Sequence, residues 1–272
     1  MNASRKKVFY YHSDAAPIGG YLTKPNATVM QCHGASSLAP AGGQASSRVS
    51  NFRMDTTVSF DEAYSTIQGA ETTSGSWTTQ VTSVVEGLNV LGMVKADRVM
   101  ASLTIEHPCD GHYAKASTAG TSFENLSIDG VSIDPTLGKR ALTPYRKGAF
   151  PEMSITDDDQ FVARAIEQSR RLTEDEYAPD WLKTRFRWVQ SRRARRQKGF
   201  VACSLVDKLR GAKAGSSFGH VVVVPEFGNI FLGEMLAGHN MFRLTMIRIE
   251  MGCDNEGTMS IGTGDSNGST MP

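Results

Sequence analysis

The sequence predicts a mainly β protein: an antiparallel β-sandwich or barrel-like core with two similar strand–turn–strand units and a helical insert. Three observations carry this. Twenty-six glycines against 10 prolines supply the many tight turns that an all-β chain needs. Runs such as Thr56-Thr57-Val58-Ser59-Phe60, Trp77-Thr78-Thr79-Gln80-Val81-Thr82 and Leu126-Ser127-Ile128 alternate or are rich in β-formers. Between about residues 140 and 198 the apolar period changes to that of a helix.

The elements follow in chain order. Residues 1–50 are punctuated by Gly19-Gly20, Pro25-Asn26, Gly34 and Pro40-Ala41-Gly42-Gly43, so irregular chain or short strands are expected. Residues 51–137 are expected to be strands. Thr156-Asp157-Asp158-Asp159 can cap a helix, with its acids facing the positive end of the dipole. Phe161, Ala165 and Leu172 then recur at helical spacing. Thr173-Glu174-Asp175-Glu176 offers a second capping box. A helix from about Pro179 to Gln197 places Leu182, Phe186 and Val189 on one side, and Gly199 can stop it. Beyond it, Phe200–Val206, Val221–Val224, Asn229–Met235 and Met241–Met251 return to β character. The expected organisation is a β-core in two parts, residues 1–139 and 199–272 with a polar tail, separated by the insert at 140–198.

The chain also echoes itself. Gly87-Leu88-Asn89-Val90-Leu91-Gly92, Ala101–Glu106 and Cys109-Asp110 are matched by Gly228-Asn229-Ile230-Phe231-Leu232-Gly233, Leu244–Glu250 and Cys253-Asp254. Each copy leads into a Ser/Gly/Thr-rich stretch. The expectation is two hairpins with like turns, pairing into one sheet system; chance similarity between two hairpins is the alternative.

Composition narrows the functions. A formal net charge of +1 gives no global pull toward nucleic acid or anionic membrane, so a charged partner must be met by a local patch. No run of about 18 apolar residues is present, so no transmembrane helix is expected. Arg5-Lys6-Lys7 resembles a signal n-region, but Val8–Asp14 is too short and polar for the apolar segment of a cleavable signal, and no anchor is evident. Cys32, Cys109, Cys203 and Cys253 form no CxxC pair; buried thiols and at least one bridge both remain open. A structural role is expected for all four.

Leu88–Gly92 followed by Lys95–Val99, Asn125–Val131 and the Gly228–Leu232 hairpin resemble the choice-of-anchor P proteins of bacterial surfaces. The resemblance covers residues 75–137 and 218–264. It implies an extracytoplasmic β-domain, exported and anchored. The lack of a signal or an anchor, and the insert at 140–198, depart from that pattern.

Sites for chemistry are sparse. His107-Pro108-Cys109-Asp110-Gly111-His112 gathers metal-capable groups, but the spacing matches no zinc signature and a turn is the expected reading. Gly264-Asp265-Ser266 lacks the elbow of a serine hydrolase. Asp254–Gly257 and Asp265–Gly268 are expected to be Asx turns rather than calcium loops. There is no P-loop and no dinucleotide fingerprint. No catalytic residue, metal or cofactor is assigned.

The basic run Arg192-Arg193-Ala194-Arg195-Arg196-Gln197-Lys198 is the strongest local signal. With Trp181, Arg185 and Trp188 it forms the candidate partner-binding set: Trp181, Arg185, Trp188, Arg192, Arg193, Arg195 and Arg196. Three readings compete: a solvated helix end, a protein interface that Trp and Arg favour, and phosphate contact with base stacking. The leading expectation is a non-enzymatic structural or surface protein that self-assembles, or binds another protein, through the insert. Asp157, Asp158, Asp159, Glu174, Asp175 and Glu176 supply matching acids on the same insert, so an acidic helix start could meet the basic helix end of another copy. The alternatives are a pore-forming or membrane-active β protein, suggested by the Ser/Thr-rich alternation at 72–82, and nucleic-acid binding through the basic helix.

Overall fold

A computed structural model describes residues 7–110, 112–138, 150–213, 215–252 and 255–271. The chain is mainly β, with 57% strand and 13% helix; the described residues form several antiparallel sheets and three short α-helices, with no closed barrel among them. The barrel-like alternative therefore falls. The main elements are β1 (Ser13–Lys24), β2 (Thr28–His33), β3 (Gly43–Met54), β4 (Val58–Glu71), β5 (Trp77–Val90), β6 (Val94–His107), α1 (Asp159–Thr173), α2 (Asp180–Arg187), α3 (Arg192–Lys198), β7 (Phe200–Ser204), β8 (Val206–Arg210), β9 (Val221–Val224), β10 (Gly228–Gly238), β11 (Met241–Met251) and β12 (Glu256–Asn267).

The first sheet is a meander, β3-β4-β5-β6, extended beyond β6 by short strands at Lys115–Ser117, Ser122–Glu124 and Ser127–Ile128. The second runs β9-β10-β11-β12-β1-β2, with β7 beside the far half of β10. The early strand β1 pairs with the late strand β12, Ile18 opposite Ile261, so distant parts of the sequence close one sheet. The two sheets pack face to face over a shared core. Val81, Val99, Leu103 and Ile105 enter it from the first, and Ile18, Leu244, Ile247 and Ile261 from the second. The approach is close: a Cβ on Gly264 would stand 2.8 Å from Val81 Cγ1.

Residues 1–50 depart from the expected short irregular strands, since β1 and β3 are each 12 residues long. Gly20 lies so near the Thr258 carbonyl that no Cβ would fit, so this glycine permits close strand approach rather than marking a turn.

The echoed motifs are not equivalent. Leu88–Val90 ends β5 and runs into the turn before β6, whereas Gly228–Gly233 opens β10, whose turn lies after Gly238. Cys253 and Asp254 lie outside the described residues, as do Met1–Lys6, Gly111 and residues 139–149, so those parts of the sequence reading stand apart from the fold.

Burial alternation slips by one residue along a line across each sheet. In the first, the buried set on β6 changes from Val94 and Ala96 to Val99, Ala101, Leu103 and Ile105. The same slip falls at Gly87 in β5 and at Asp61 in β4. The register places Asn51, Asp61, Gly87, Asp97 and Asn125 side by side, with Asn51 (φ 55°), Gly87 (φ 65°) and Asn125 (φ 50°) left-handed. In the second sheet the line is Gly233 (φ 61°), Met246 and Gly262 (φ 61°). Left-handed residues on alternate strands turn the following side chains to the opposite face without breaking the sheet.

Candidate functional site

The insert lies against the outer face of the second sheet. Asp158 caps α1, its Oδ1 accepting from the Phe161 N–H at 2.6 Å, as the acidic run predicts. Phe161, Ala165 and Leu172 turn inward, and Gln168 exchanges two hydrogen bonds with the Ser204 backbone of β7. Thr173–Glu176 is not a capping box: Glu174 ends α1, and Pro179 precedes α2. Leu172, Ala178 and Leu182 then pack with Phe218, Val221 and Phe231 as a second, smaller core.

The single helix expected from Pro179 to Gln197 is broken. A 3₁₀ turn at Trp188–Gln190 draws Val189 into the core, and Ser191 starts α3 afresh, its Oγ accepting from the Ala194 N–H at 3.3 Å. Gly199, at φ 73°, ends α3 as expected.

The seven candidate residues therefore divide. Arg185 donates two hydrogen bonds to Glu250, at 2.8 and 2.7 Å, and lies 4.9 Å above the Phe231 ring. Trp188 is partly buried, edge-on to Phe200, with Lys198 over its face. Trp181 stays 37% exposed, its ring edge toward Phe231. Arg195 is half-buried and donates to the Val189 carbonyl at 2.5 Å; burial and then the nearby Arg192 charge hold its guanidinium below its usual range. Arg192, Arg193 and Arg196 are exposed and have no ion-pair partner among the described residues.

Arg192, Arg195 and Arg196 line one wall of a cleft of about 480 Å³. Asp157, Asp159 and Thr156 at the start of α1 line the other, and Val162, His239 and Gly199 complete it. Asp157 and Asp159, two of the acids expected to reach another copy, thus face the arginines of their own chain, without ion pairs between them among the described residues.

Sequence reasoning missed the charged strap beneath α2. Arg248 is mostly buried, stacks 3.7 Å from the Phe231 centroid, and donates to Glu234 at 2.6 and 2.8 Å and to Glu250. Burial opposes its charge, but the Glu234 and Glu250 carboxylates more than offset this and hold its pKa up. The period-2 placement of Glu234, Arg248 and Glu250 on β10 and β11 was the available signal. A recess of about 310 Å³ beside this strap contains Cys203. Burial pushes that thiol up to about 12, which leaves no thiolate for nucleophilic chemistry at neutral pH. Cys32, Cys109 and Cys203 are free thiols.

His107, Cys109, His112 and His239 line a small cavity of about 230 Å³. No three metal-capable side chains converge among the described residues. His112 instead pairs with Asp110 at 2.8 Å, and buried His107 is pushed down to about 4. Gly264-Asp265-Ser266 is not a polar tail: it lies within β12, with Ser266 buried, and Asp265 is raised by burial and by Asp14.

Comparison with curated proteins and with solved structures gives no match. Residues 9–237, well over half of the chain, match one family, and the protein belongs to it: a domain of unknown function (DUF8256).

Proposed function

We propose that this protein is a non-enzymatic binding module whose insert engages an acidic segment of a protein partner through the exposed side of α3. The observation that carries the reading is that Arg192, Arg193 and Arg196 stand exposed, with no ion-pair partner among the described residues, on a short helix fixed to the β-core. Unneutralised guanidinium groups favour carboxylate partners, because the planar fork donates in pairs and less freedom is lost per hydrogen bond formed. Self-assembly has weaker support, because Asp157 and Asp159, two of the acids that motivated it, face arginines of the same chain. Nucleic-acid binding has weaker support, since one of its two stacking tryptophans, Trp188, is covered by Lys198 and packed against Phe200, leaving Trp181 exposed. The membrane-active reading loses its motive as well. The two environments of the strand at 77–82 are the core, entered by Trp77, Thr79 and Val81, and the outer face of the sheet.

Fluorescence anisotropy with labelled poly-glutamate tests the proposal. Binding is expected, weakening at least tenfold when Arg192, Arg193 and Arg196 are replaced together by Gln. Tighter binding of a single-stranded oligonucleotide of equal charge would favour the nucleic-acid reading. A dimer by light scattering that dissociates in the triple variant would restore self-assembly.

A further inference from the structure

The cleft between α1 and α3 is a different feature from the exposed side of α3, although the two share Arg192 and Arg196. Its walls carry opposite charge: Arg192, Arg195 and Arg196 on one, Asp157 and Asp159 on the other. Opposite charges on flexible surface side chains commonly close into ion pairs when the backbone allows it. Here the described residues include no such pair, and a cleft of about 480 Å³ lies between the two walls. α1 is anchored by its Asp158 cap and by Gln168 on Ser204, and α3 by Arg195 on the Val189 carbonyl and by the left-handed Gly199. Arg195 is also held beside Arg192 with no carboxylate between them, an arrangement that costs energy until an anion arrives.

A purely anionic ligand would meet two carboxylates, and a purely cationic one three arginines. A ligand with an anionic group at one end and an ammonium at the other satisfies both walls. Guanidinium groups suit phosphoryl oxygens in particular, because their planar forks donate in pairs. The cavity, about 480 Å³, has room for such a molecule. We infer that this cleft is a binding site for a small phosphoryl compound carrying an ammonium, the phosphoryl held by Arg192, Arg195 and Arg196 and the ammonium by Asp157 and Asp159.

Titration calorimetry on the full chain, with O-phosphoethanolamine and inorganic phosphate as probes, tests the assignment. O-phosphoethanolamine is expected to bind more tightly than phosphate. Replacing Arg192 and Arg195 by Gln should weaken both at least tenfold. Replacing Asp157 and Asp159 by Asn should weaken O-phosphoethanolamine yet strengthen phosphate, a reversal that general loss of structure cannot give. Arg187→Gln removes a nearby exposed charge outside the cleft and should change neither. Vesicles containing phosphatidylethanolamine distinguish the source: co-sedimentation assigns the group to a lipid headgroup, and binding of the free compound alone to a soluble ligand. Absence of binding by both probes, or binding indifferent to the arginine changes, would overturn the inference. So would equal effects of the aspartate changes on the two probes. Poly-glutamate binding that persists when the cleft probes fail would leave the partner-binding reading standing.

Discussion

At the scale of single residues, buried ionisable groups dominate the behaviour. His107 and His220 are both buried, and burial lowers each to about 4. In the unfolded chain each titrates near 6.5, so below that pH the unfolded state binds more protons. The contribution of each is fully present above about pH 6.5 and is lost as pH falls toward about 4, by about 3 kcal/mol per histidine. Asp265 works in the opposite direction, because its raised pKa relieves the native state as it protonates. The net expectation is a fall in melting temperature between about pH 7 and about pH 4.5, which His220→Gln should flatten by roughly half. Melting curves at the two pH values check this, and an unchanged slope in the variant would remove His220 as a cause. Arg248, Glu234 and Glu250 could be read from sequence only as alternating charges on strands. Their meeting with Arg185 depends on how α2 docks, which no local pattern encodes.

At the scale of elements, legibility followed the locality of the cause. The α1 start and the α3 stop are set by Asp158 and Gly199, whose effects reach only a few residues, and both were legible. The break at Ser191 was not. No Gly or Pro marks it, and Leu182, Phe186 and Val189 fit one continuous helical face as well as a broken one. Burial of Val189 and the Ser191 cap decide the matter together. The cap at Asp158 also fixes one wall of the charged cleft. Asp158→Ala should therefore lower stability by about 1 kcal/mol and fray the first turn of α1. Hydrogen exchange at the Phe161 amide should rise sharply while that of the β10 amides stays unchanged. Equal protection at Phe161 in the variant would mean that tertiary packing, not the cap, holds this end.

At the scale of the whole molecule, the inserted helices are packed into the protein's cores as firmly as the strands are. The alternation patterns predicted the strands, but the slip at Gly233 changes which alternate residues point toward the core, so the outer face of the second sheet could not be identified as apolar from sequence. Phe231 shows the consequence. It lies outside the main core yet is fully buried, under α2 and between the Arg185 and Arg248 guanidinium groups. Val221 and Phe218 are covered by the same helices, and Ile155, Phe161 and Val189 join the main core directly. A loop without such contacts could be exchanged at little cost, because closure entropy grows slowly with length. These helices cannot, because their removal returns several large apolar side chains to water at about 1.5–3 kcal/mol each, a sum comparable to the whole stability of a domain. Replacing residues 150–199 by a Gly/Ser linker should therefore give a chain that binds a hydrophobic dye strongly and lacks a cooperative thermal transition. A soluble variant that melts cooperatively near the parent temperature would show the β-core to be self-sufficient and the helices to be an appendage.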